Sequence, residues 1–141
     1  MKVYIAASFV AQKRLRPIRD KLWSLGHEVV GSWLDEVARP EGMSQEIFDK
    51  QLAIKDLTEV AKADCIILDT TEESTTGGRM VEWGYALGQA KLRYLVGKPH
   101  SIFEHLADRI FSSWEEVYTH FSEVHKSTVY VATGMDNREF S

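Results

Sequence analysis

Short apolar runs alternate with longer stretches of helical periodicity along most of the chain. The runs at 2–7 and 64–69 consist mainly of apolar residues that favour strands, which is typical of strands buried on both faces of a sheet. Between them, apolar residues recur at the spacing of one helical face, at Leu15, Ile18, Leu22 and Leu25. The pattern therefore predicts an alternation of strands and helices.

The alternation extends to residue 121. We predict strands at 2–7, 27–33, 64–69 and 93–97, with a further short strand at 108–111. Helices are predicted at 11–25, 44–63, 79–91 and 114–121, with a short helical turn at 103–107. Pro17 places the start of the first helix close to itself, Gly26 ends that helix, and Ser44 begins the second. Ser112 or Ser113 is expected to cap the last helix.

This order of elements favours a single α/β domain over residues 1–121, built on an open, mostly parallel sheet of the Rossmann-like or flavodoxin-like type. Right-handed crossovers place helices on both faces of such a sheet and leave few strand orders, of which we predict 2-1-3-4-5. Residues 122–141 are expected to form a C-terminal extension. Within it, 128–132 has the composition of a strand, and the last residues have that of an exposed tail.

Composition narrows the class of protein without naming an activity. The 141 residues carry a formal net charge of −4, which gives no sign of a nucleic-acid polymer as partner. The basic residues at 13–16 are interpreted as a solvated helix turn that could still reach a small anion. The lone Cys65 cannot form an internal disulfide, and no apolar run approaches the ~20 residues of a membrane span. We expect a cytoplasmic protein with no membrane partner.

In a sheet of this kind, ligands bind beyond the carboxyl ends of the strands, near the switch in strand order. Ser8 and Phe9 follow the first predicted strand, and Trp33 ends the second. We expect all three near the ligand. The two aromatic rings could stack on a planar group, although either could equally belong to the core.

The loop after the third predicted strand contains Thr76, Gly77 and Gly78 and runs into a helix. Free N–H groups and the positive dipole end of a helix favour an anion there, and paired glycines would let it come close. The alternative is that Thr76 merely caps the helix and the glycines form a turn. By itself this motif does not decide between the two.

Four further residues are candidates for the chemistry. Glu82 is expected in the first turn of the third helix, beside the mouth of the pocket, although the helix dipole alone would explain a carboxylate there. Asp69 is a candidate because it ends the third strand. Asp56 interrupts the apolar spacing of the second long helix, for which a surface role is the simpler interpretation. Tyr4 lies in a central strand, where its hydroxyl would need a partner, and a nearby glutamate would serve.

Metal and phosphoryl-transfer chemistry receive little support from the sequence. The histidines show no paired ligand spacing with Cys65, and neither G-x-x-x-x-G-K-[ST] nor G-x-G-x-x-G occurs. We expect neither a metal nor a cofactor. Gly84 and Gly88 each cost about 1 kcal/mol inside a helix, which suggests that the sheet or another subunit approaches that helix face closely.

The segment GGRMVEWGYALG at 77–88 resembles the signature of the nucleoside 2-deoxyribosyltransferase family, which runs roughly GG-x-x-x-E-x-G-Y-A-L. The run VYIAAS at 3–8 is similar to the family's first strand. The pair Asp56-Leu57, with Asp56 eight residues before Asp64, and the loop GKPHSIF at 97–103 resemble later parts of the family in the same order. The resemblance covers residues 1–121.

The resemblance implies a role for each of these residues. Glu82 would attack the anomeric carbon of a 2-deoxyribosyl group, Tyr4 would orient Glu82 through a hydrogen bond, and Asp56 would bind the sugar hydroxyls. A protonated group must assist the departing base, and we expect Asp69 to be that group. Members of the family form dimers or larger oligomers, and the loop that carries Ser101 here reaches a neighbour's site.

One departure within the motif bears on the substrate. Family transferases that act on free nucleosides often carry an aspartate six residues before the nucleophile, where this chain has Thr76. The related 2′-deoxynucleoside 5′-monophosphate N-glycosidases carry a serine there, which contacts the phosphate. We therefore expect a small-molecule nucleotide as substrate, hydrolysed at its N-glycosidic bond through a covalent Glu82 intermediate. The alternatives are base exchange between free deoxynucleosides, a nucleotide-sugar enzyme and a non-catalytic nucleotide-binding protein.

Overall fold

A parallel sheet forms the centre of the protein in the computed structural model, which describes residues 1–74 and 77–132, the last nine of these by their backbone alone. Within that part of the chain the sheet has five strands: β1 (Lys2–Ala6), β2 (Glu28–Val29), β3 (Cys65–Asp69), β4 (Leu92–Val96) and β5 (Arg109–Phe111). Their order is β2-β1-β3-β4-β5, and every neighbouring pair is parallel. The predicted α/β class and strand order are confirmed.

Helices connect the strands and cover the sheet. The described helices are α1 (Gln12–Ser24), α2 (Gln45–Lys62), α3 (Gly78–Gly88) and α4 (Trp114–Ala132). Short 3₁₀ turns lie at Phe9–Ala11, Ser32–Asp35 and Ile102–Leu106. No helix of the described residues is both long enough and apolar enough to cross a membrane.

Two of the predicted helix boundaries are confirmed by their local geometry. The Ser44 hydroxyl accepts a hydrogen bond from the backbone N–H of Ile47 at 3.2 Å, which satisfies one of the free donors at the start of α2. Gly26 follows α1 with a φ of 91°, a left-handed conformation that glycine adopts without the steric penalty of a side chain.

Three predicted boundaries were wrong. Helix α1 begins at Gln12, directly after the 3₁₀ turn at 9–11, so Pro17 lies inside the helix and leaves the carbonyl of Lys13 without its helical donor. Strand β2 has only two residues, because the chain turns away from β1 after Val29. Helix α4 continues through Ala132, so the predicted strand at 128–132 is helical. The predicted tail beyond residue 132 lies outside the described residues.

The core is concentrated on the central strands. Residues 3–6 of β1 are completely buried, as are residues 65–69 of β3. Strands buried on both faces are expected where helices cover both sides of a parallel sheet. The adjacent carboxyl ends of β1 and β3 open towards a cavity, and the side chains around it are those that carry chemistry.

Candidate active site

The cavity lies where the segments after β1, β2 and β3 meet the starts of helices. Six of the predicted site residues line it: Ser8, Phe9, Trp33, Asp56, Gly78 and Glu82. Four other residues complete its wall: Ala7, Glu36, Ser74 and Arg79. The structure thus brings together residues from the segments after β1 and β3, the β2–α2 loop, α2 and α3.

Glu82 and Tyr4 form the central contact of the site. The Tyr4 hydroxyl, on a residue with no exposed surface, donates a hydrogen bond to Oε2 of Glu82. Burial, reinforced by the negative charges of Glu82 and Asp56, raises the pKa of the Tyr4 hydroxyl far above its usual range. Tyr4 therefore stays protonated and donates to Glu82, which fixes the orientation of the carboxylate.

The environment of Glu82 favours its neutral form in the empty protein. Burial raises the pKa of Glu82 to about 8, against the opposing effect of the Tyr4 hydrogen bond. The carboxylates of Asp56, Glu59 and Glu36 contribute to this rise, because like charges disfavour ionisation. A carboxyl group with such a shift in a cavity is a candidate for catalysis.

Asp56 faces the same cavity with an unused acceptor. Its Oδ1 atom is buried and has no hydrogen-bond partner among the described residues. Burial, together with the charges of Glu36 and Glu59, raises the pKa of Asp56 to about 6. Buried polar atoms are rarely left without partners, so this oxygen is available to a ligand. The simpler interpretation of Asp56 as a surface residue does not describe its position.

The aromatic side of the cavity contains one fixed and one exposed ring. The indole N–H of Trp33 donates to the carbonyl of Ile5 at 2.7 Å, which holds a mostly buried ring against β1. Phe9 is 57% exposed, and its ring centroid lies 6.3 Å from that of Trp33. Trp33 thus belongs to both the core and the cavity wall, whereas the Phe9 ring is free to contact a ligand.

The start of α3 is more open than a capped helix end. Gly77 has a φ of 75°, and no side chain of the described residues caps the helix. A Cβ atom on Gly77 or Gly78 would meet nothing within 4 Å. Thr76 lies outside the described residues. Since α3 begins at Gly78, Glu82 lies beyond its first turn, so the predicted first-turn position of Glu82 was wrong.

Asp69 does not fit the proton-donor role that we expected from its place at the end of β3. Its carboxylate is fully buried and accepts hydrogen bonds from Arg14 at 3.1 Å, from the indole N–H of Trp114 at 2.7 Å and from the N–H of Thr71 at 2.9 Å. Although burial raises the pKa of Asp69, these hydrogen bonds outweigh it and hold the pKa below its usual value. Asp69 is also absent from the cavity wall, so its role is structural.

The reason is the alternation of side chains along a strand. Tyr4 of β1 is in register with Ile66 of β3, and neighbouring residues at the same level point to the same face of the sheet. Asp69 lies three positions after Ile66 and therefore points to the opposite face. There it meets α1 and α4, whereas Tyr4 meets α3.

The residues predicted to contact a neighbouring subunit lie away from the cavity. Ser101 precedes the 3₁₀ turn at 102–106, and its buried hydroxyl has no hydrogen-bond partner among the described residues. A Cβ atom on Gly84 or Gly88 would meet no atom of the described residues within 4 Å. The sheet therefore does not approach these glycines closely, which was one of the two explanations for their presence in the helix. The other alternative, a second subunit, stays a prediction.

Two charged residues of the cavity wall were missed from the sequence. Glu36 lies in the polar loop after β2, and the Lys55 ammonium group forms an ion pair with it at 2.9 Å. Arg79 occupies a variable position of the Gly-Gly motif and is only 7% exposed. Arg79 could have been predicted from its spacing. It lies three residues before Glu82 on the same helix, and residues so spaced share a helix face. Within the described residues, no group of three or more potential metal ligands is found.

Comparison with known proteins identifies the fold. No protein-family model and no curated protein sequence matches the chain. Among solved structures, a 2-deoxyribosyltransferase from Bacillus psychrosaccharolyticus matches with a TM-score of 0.71 and 21% identity, over 84% of this chain and 90% of that one. A conserved protein from Enterococcus faecalis matches with a TM-score of 0.65 and 13% identity, over 87% and 98% of the two chains.

A CMP N-glycosidase from Clostridium botulinum matches with a TM-score of 0.53 and 18% identity, over 85% of this chain and 97% of that one. Identities this low concern the fold alone. The chain therefore shares its fold with these proteins, which include a 2-deoxyribosyltransferase and a CMP N-glycosidase, in agreement with the resemblance seen in its sequence.

Proposed function

We propose that the protein hydrolyses the N-glycosidic bond of a 2′-deoxynucleoside 5′-monophosphate, with Glu82 as the nucleophile. The observation that carries this proposal is the buried Tyr4–Glu82 pair at the wall of a cavity that also contains Asp56. A fixed carboxylate beside the anomeric carbon stabilises the positive charge that develops there as the bond to the base breaks. The fold shared with a 2-deoxyribosyltransferase and a CMP N-glycosidase supports chemistry of this class.

The reaction proceeds by two displacements. The ionised carboxylate of Glu82 bonds to C1′ of the sugar, and the base departs with the electron pair of the broken C1′–N bond and takes up a proton. Water then attacks C1′, loses a proton and releases Glu82, so the products are the free base and 2-deoxyribose 5-phosphate. Two inversions give net retention of configuration.

Asp56 is proposed to supply the proton for the departing base, in place of Asp69. It lines the cavity with Glu82, and its raised pKa of about 6 keeps part of the population protonated near neutral pH. The resemblance also implies that Asp56 binds the sugar hydroxyls. Both roles require the carboxyl group to face the ligand, and its unpartnered Oδ1 is placed to do so.

Base exchange between free deoxynucleosides is the second candidate. It is favoured by the higher TM-score with the 2-deoxyribosyltransferase, 0.71, than with the CMP N-glycosidase, 0.53. Transferase and hydrolase share the first displacement and differ in what attacks the glycosyl-enzyme, which is a second base or water.

One incubation distinguishes these candidates. The protein is mixed with each deoxynucleoside or its 5′-monophosphate, with and without a free acceptor base, and base release is followed by chromatography. We expect release from the monophosphates without an acceptor, and none with Glu82→Gln. Release only when an acceptor base is present would make the protein a transferase. Binding without release under every condition would indicate a non-catalytic nucleotide-binding protein.

A further inference from the structure

Arg79 places a buried positive charge in the wall of the cavity that also contains the proposed nucleophile. It is the second residue of α3, lines the cavity and is only 7% exposed. Since Glu82 follows three residues later, the two side chains share a helix face. The Arg79 guanidinium group reaches back to the loop before α3, where it contacts the backbone carbonyl of Glu72.

The guanidinium group of Arg79 has no acidic partner among the described residues. Its Nη1 donates to the backbone carbonyl of Glu72 at 2.6 Å. The carboxylate of Glu72 is instead engaged by Arg14, whose Nε and Nη2 atoms donate to its two oxygens at 2.8 and 2.9 Å. A buried charge is unfavourable unless it is paired, so the remaining donors of Arg79 favour an anionic ligand.

The space next to Arg79 admits such a ligand. At Gly77 and Gly78, at the start of α3, an added Cβ would meet no atom of the described residues within 4 Å. The first N–H groups of a helix have no partner within it, and the helix dipole is positive at this end. The buried Arg79 and Gly78, the first residue of α3, therefore line the same cavity.

We propose that Arg79 binds the 5′-phosphate of the substrate and makes the protein select nucleotides over nucleosides. The planar guanidinium group can donate two parallel hydrogen bonds to a phosphate, a geometry that a lysine cannot reproduce. The identity of the anion rests on the proposed nucleotide hydrolysis. The presence of an anion site at Arg79 does not depend on it.

The anion site is tested without turnover, by thermal unfolding in inorganic phosphate against chloride of equal ionic strength. A ligand that binds only the folded state raises Tm as its concentration increases. We expect phosphate to raise the Tm of the wild type, not to raise that of Arg79→Gln, and to act weakly on Arg79→Lys. Arg109→Gln, which removes an exposed arginine on β5, is the control and should keep the response. An equal response in wild type and Arg79→Gln would overturn the proposal.

Selectivity is tested by the ratio of kcat/KM for a deoxynucleoside 5′-monophosphate to that for the deoxynucleoside. Loss of hydrogen bonds to a charged group should lower this ratio about 10- to 100-fold in Arg79→Gln. An equal loss on both substrates would show that Arg79 serves Glu82 instead, and would overturn the proposal. If the wild type releases no base, the hydrolase proposal fails. The anion site still stands in that case, provided that phosphate raises the Tm of the wild type and not that of Arg79→Gln.

Discussion

The hydroxyl of Tyr4, inside the sheet, donates a hydrogen bond to the carboxylate of Glu82, which lies 78 residues further along the chain. This bond favours the ionised carboxylate, whereas burial favours the neutral acid and raises the pKa of Glu82 to about 8. The two effects oppose each other at the group that must be ionised to act as a nucleophile. Variants at Tyr4 and at Glu82 separate the effect of the hydrogen bond from the effect of burial.

Tyr4→Phe should move the activity to higher pH. Without the hydroxyl, the pKa of Glu82 rises further, so the ionised nucleophile forms only at higher pH. A hydrogen bond to a charged group corresponds to about one to two pH units. The measurement is the pH above which kcat/KM for the monophosphate falls, because the higher pKa of the Asp56–Glu82 pair, that of Glu82, sets this limb. Tyr94→Phe is the matched control, because the Tyr94 hydroxyl contacts His120 and not the cavity. A limb that does not move in Tyr4→Phe would contradict the proposed role.

Glu82→Gln should lower turnover by orders of magnitude and leave the protein folded. The amide keeps the size of the side chain but cannot form the covalent glycosyl-enzyme. Base release in single-turnover and steady-state assays is the measurement, with circular dichroism to establish folding. Rates near those of the wild type would refute the assignment of Glu82 as nucleophile.

The same variant should be more stable than the wild type at alkaline pH. The raised pKa means that the folded state holds the Glu82 proton more tightly than the unfolded chain does, so ionisation opposes folding. The destabilisation is absent below the ordinary pKa of a glutamate, grows as pH rises and is complete above about 8. Thermal unfolding should therefore show a larger gain for Glu82→Gln at pH 9 than at pH 4. A gain that does not depend on pH would exclude this cause.

Asp56→Asn should remove the loss of activity at high pH. If turnover needs protonated Asp56 and ionised Glu82, kcat/KM rises with pH below about 6 and falls above about 8. Such limbs belong to the coupled pair, so a variant must assign them. In Asp56→Asn the falling limb should disappear while kcat drops. A raised KM with the falling limb intact would instead restrict Asp56 to binding the sugar.

Asp69→Asn should destabilise the protein without changing the limbs of the pH profile. It weakens the contacts with Arg14 and Trp114, and because Arg14 is 37% exposed we expect a loss of about 1–3 kcal/mol at pH 7. The lowered pKa of Asp69 stabilises the fold above the ordinary aspartate pKa, and this is lost as pH falls through the lowered value. Urea unfolding at pH 7 and pH 3 should show the difference between wild type and variant shrinking in acid. A changed pH profile would restore Asp69 as a proton donor.

Gly84→Arg should dissociate an oligomer. The outer face of α3 is open at Gly84 and Gly88 and carries the exposed side chain of Val81, so we predict that a second copy packs there. Arginine is a better helix former than glycine, so a loss of assembly would not reflect a weakened helix. Light scattering should give at least a dimer for the wild type and for Thr119→Arg, an exposed control on α4, and a monomer for Gly84→Arg. A monomeric wild type would remove the shared role of Ser101.

The strand order and most element positions could be predicted because apolar periodicity and the handedness of crossovers leave few arrangements. The direction in which a side chain points at the end of a strand could not be predicted in this way. Asp69 was placed at the correct end of β3, but its direction depends on the register between β1 and β3, and a shift of one residue reverses it. The pairing of Tyr4 with a glutamate was predicted from the need of a buried hydroxyl for a partner.

Glu36 could not have been found in the same way, because it lies in an irregular loop where no periodicity relates sequence to position. Its place in the cavity depends on the β2–α2 loop, whose backbone carbonyls at Trp33 and Glu36 accept hydrogen bonds from the Gln12 amide at 2.7 and 3.1 Å. Such contacts between distant segments leave no pattern in the sequence. Glu36 was therefore missed because tertiary contacts, and not secondary structure, fix its position.

Tyr4 anchors the reactive carboxylate from inside the sheet, whereas Phe9 and Glu36 reach the cavity from segments at its rim. Under the proposed function, the reaction depends on the sheet, whereas the choice of base depends on the rim segments of the cavity. Mutational drift in the rim segments can change which base is accepted while the alignment of Glu82 is preserved. A laboratory evolution campaign aimed at new nucleobases should accordingly randomise positions 9 and 36–39 and leave β1 unchanged.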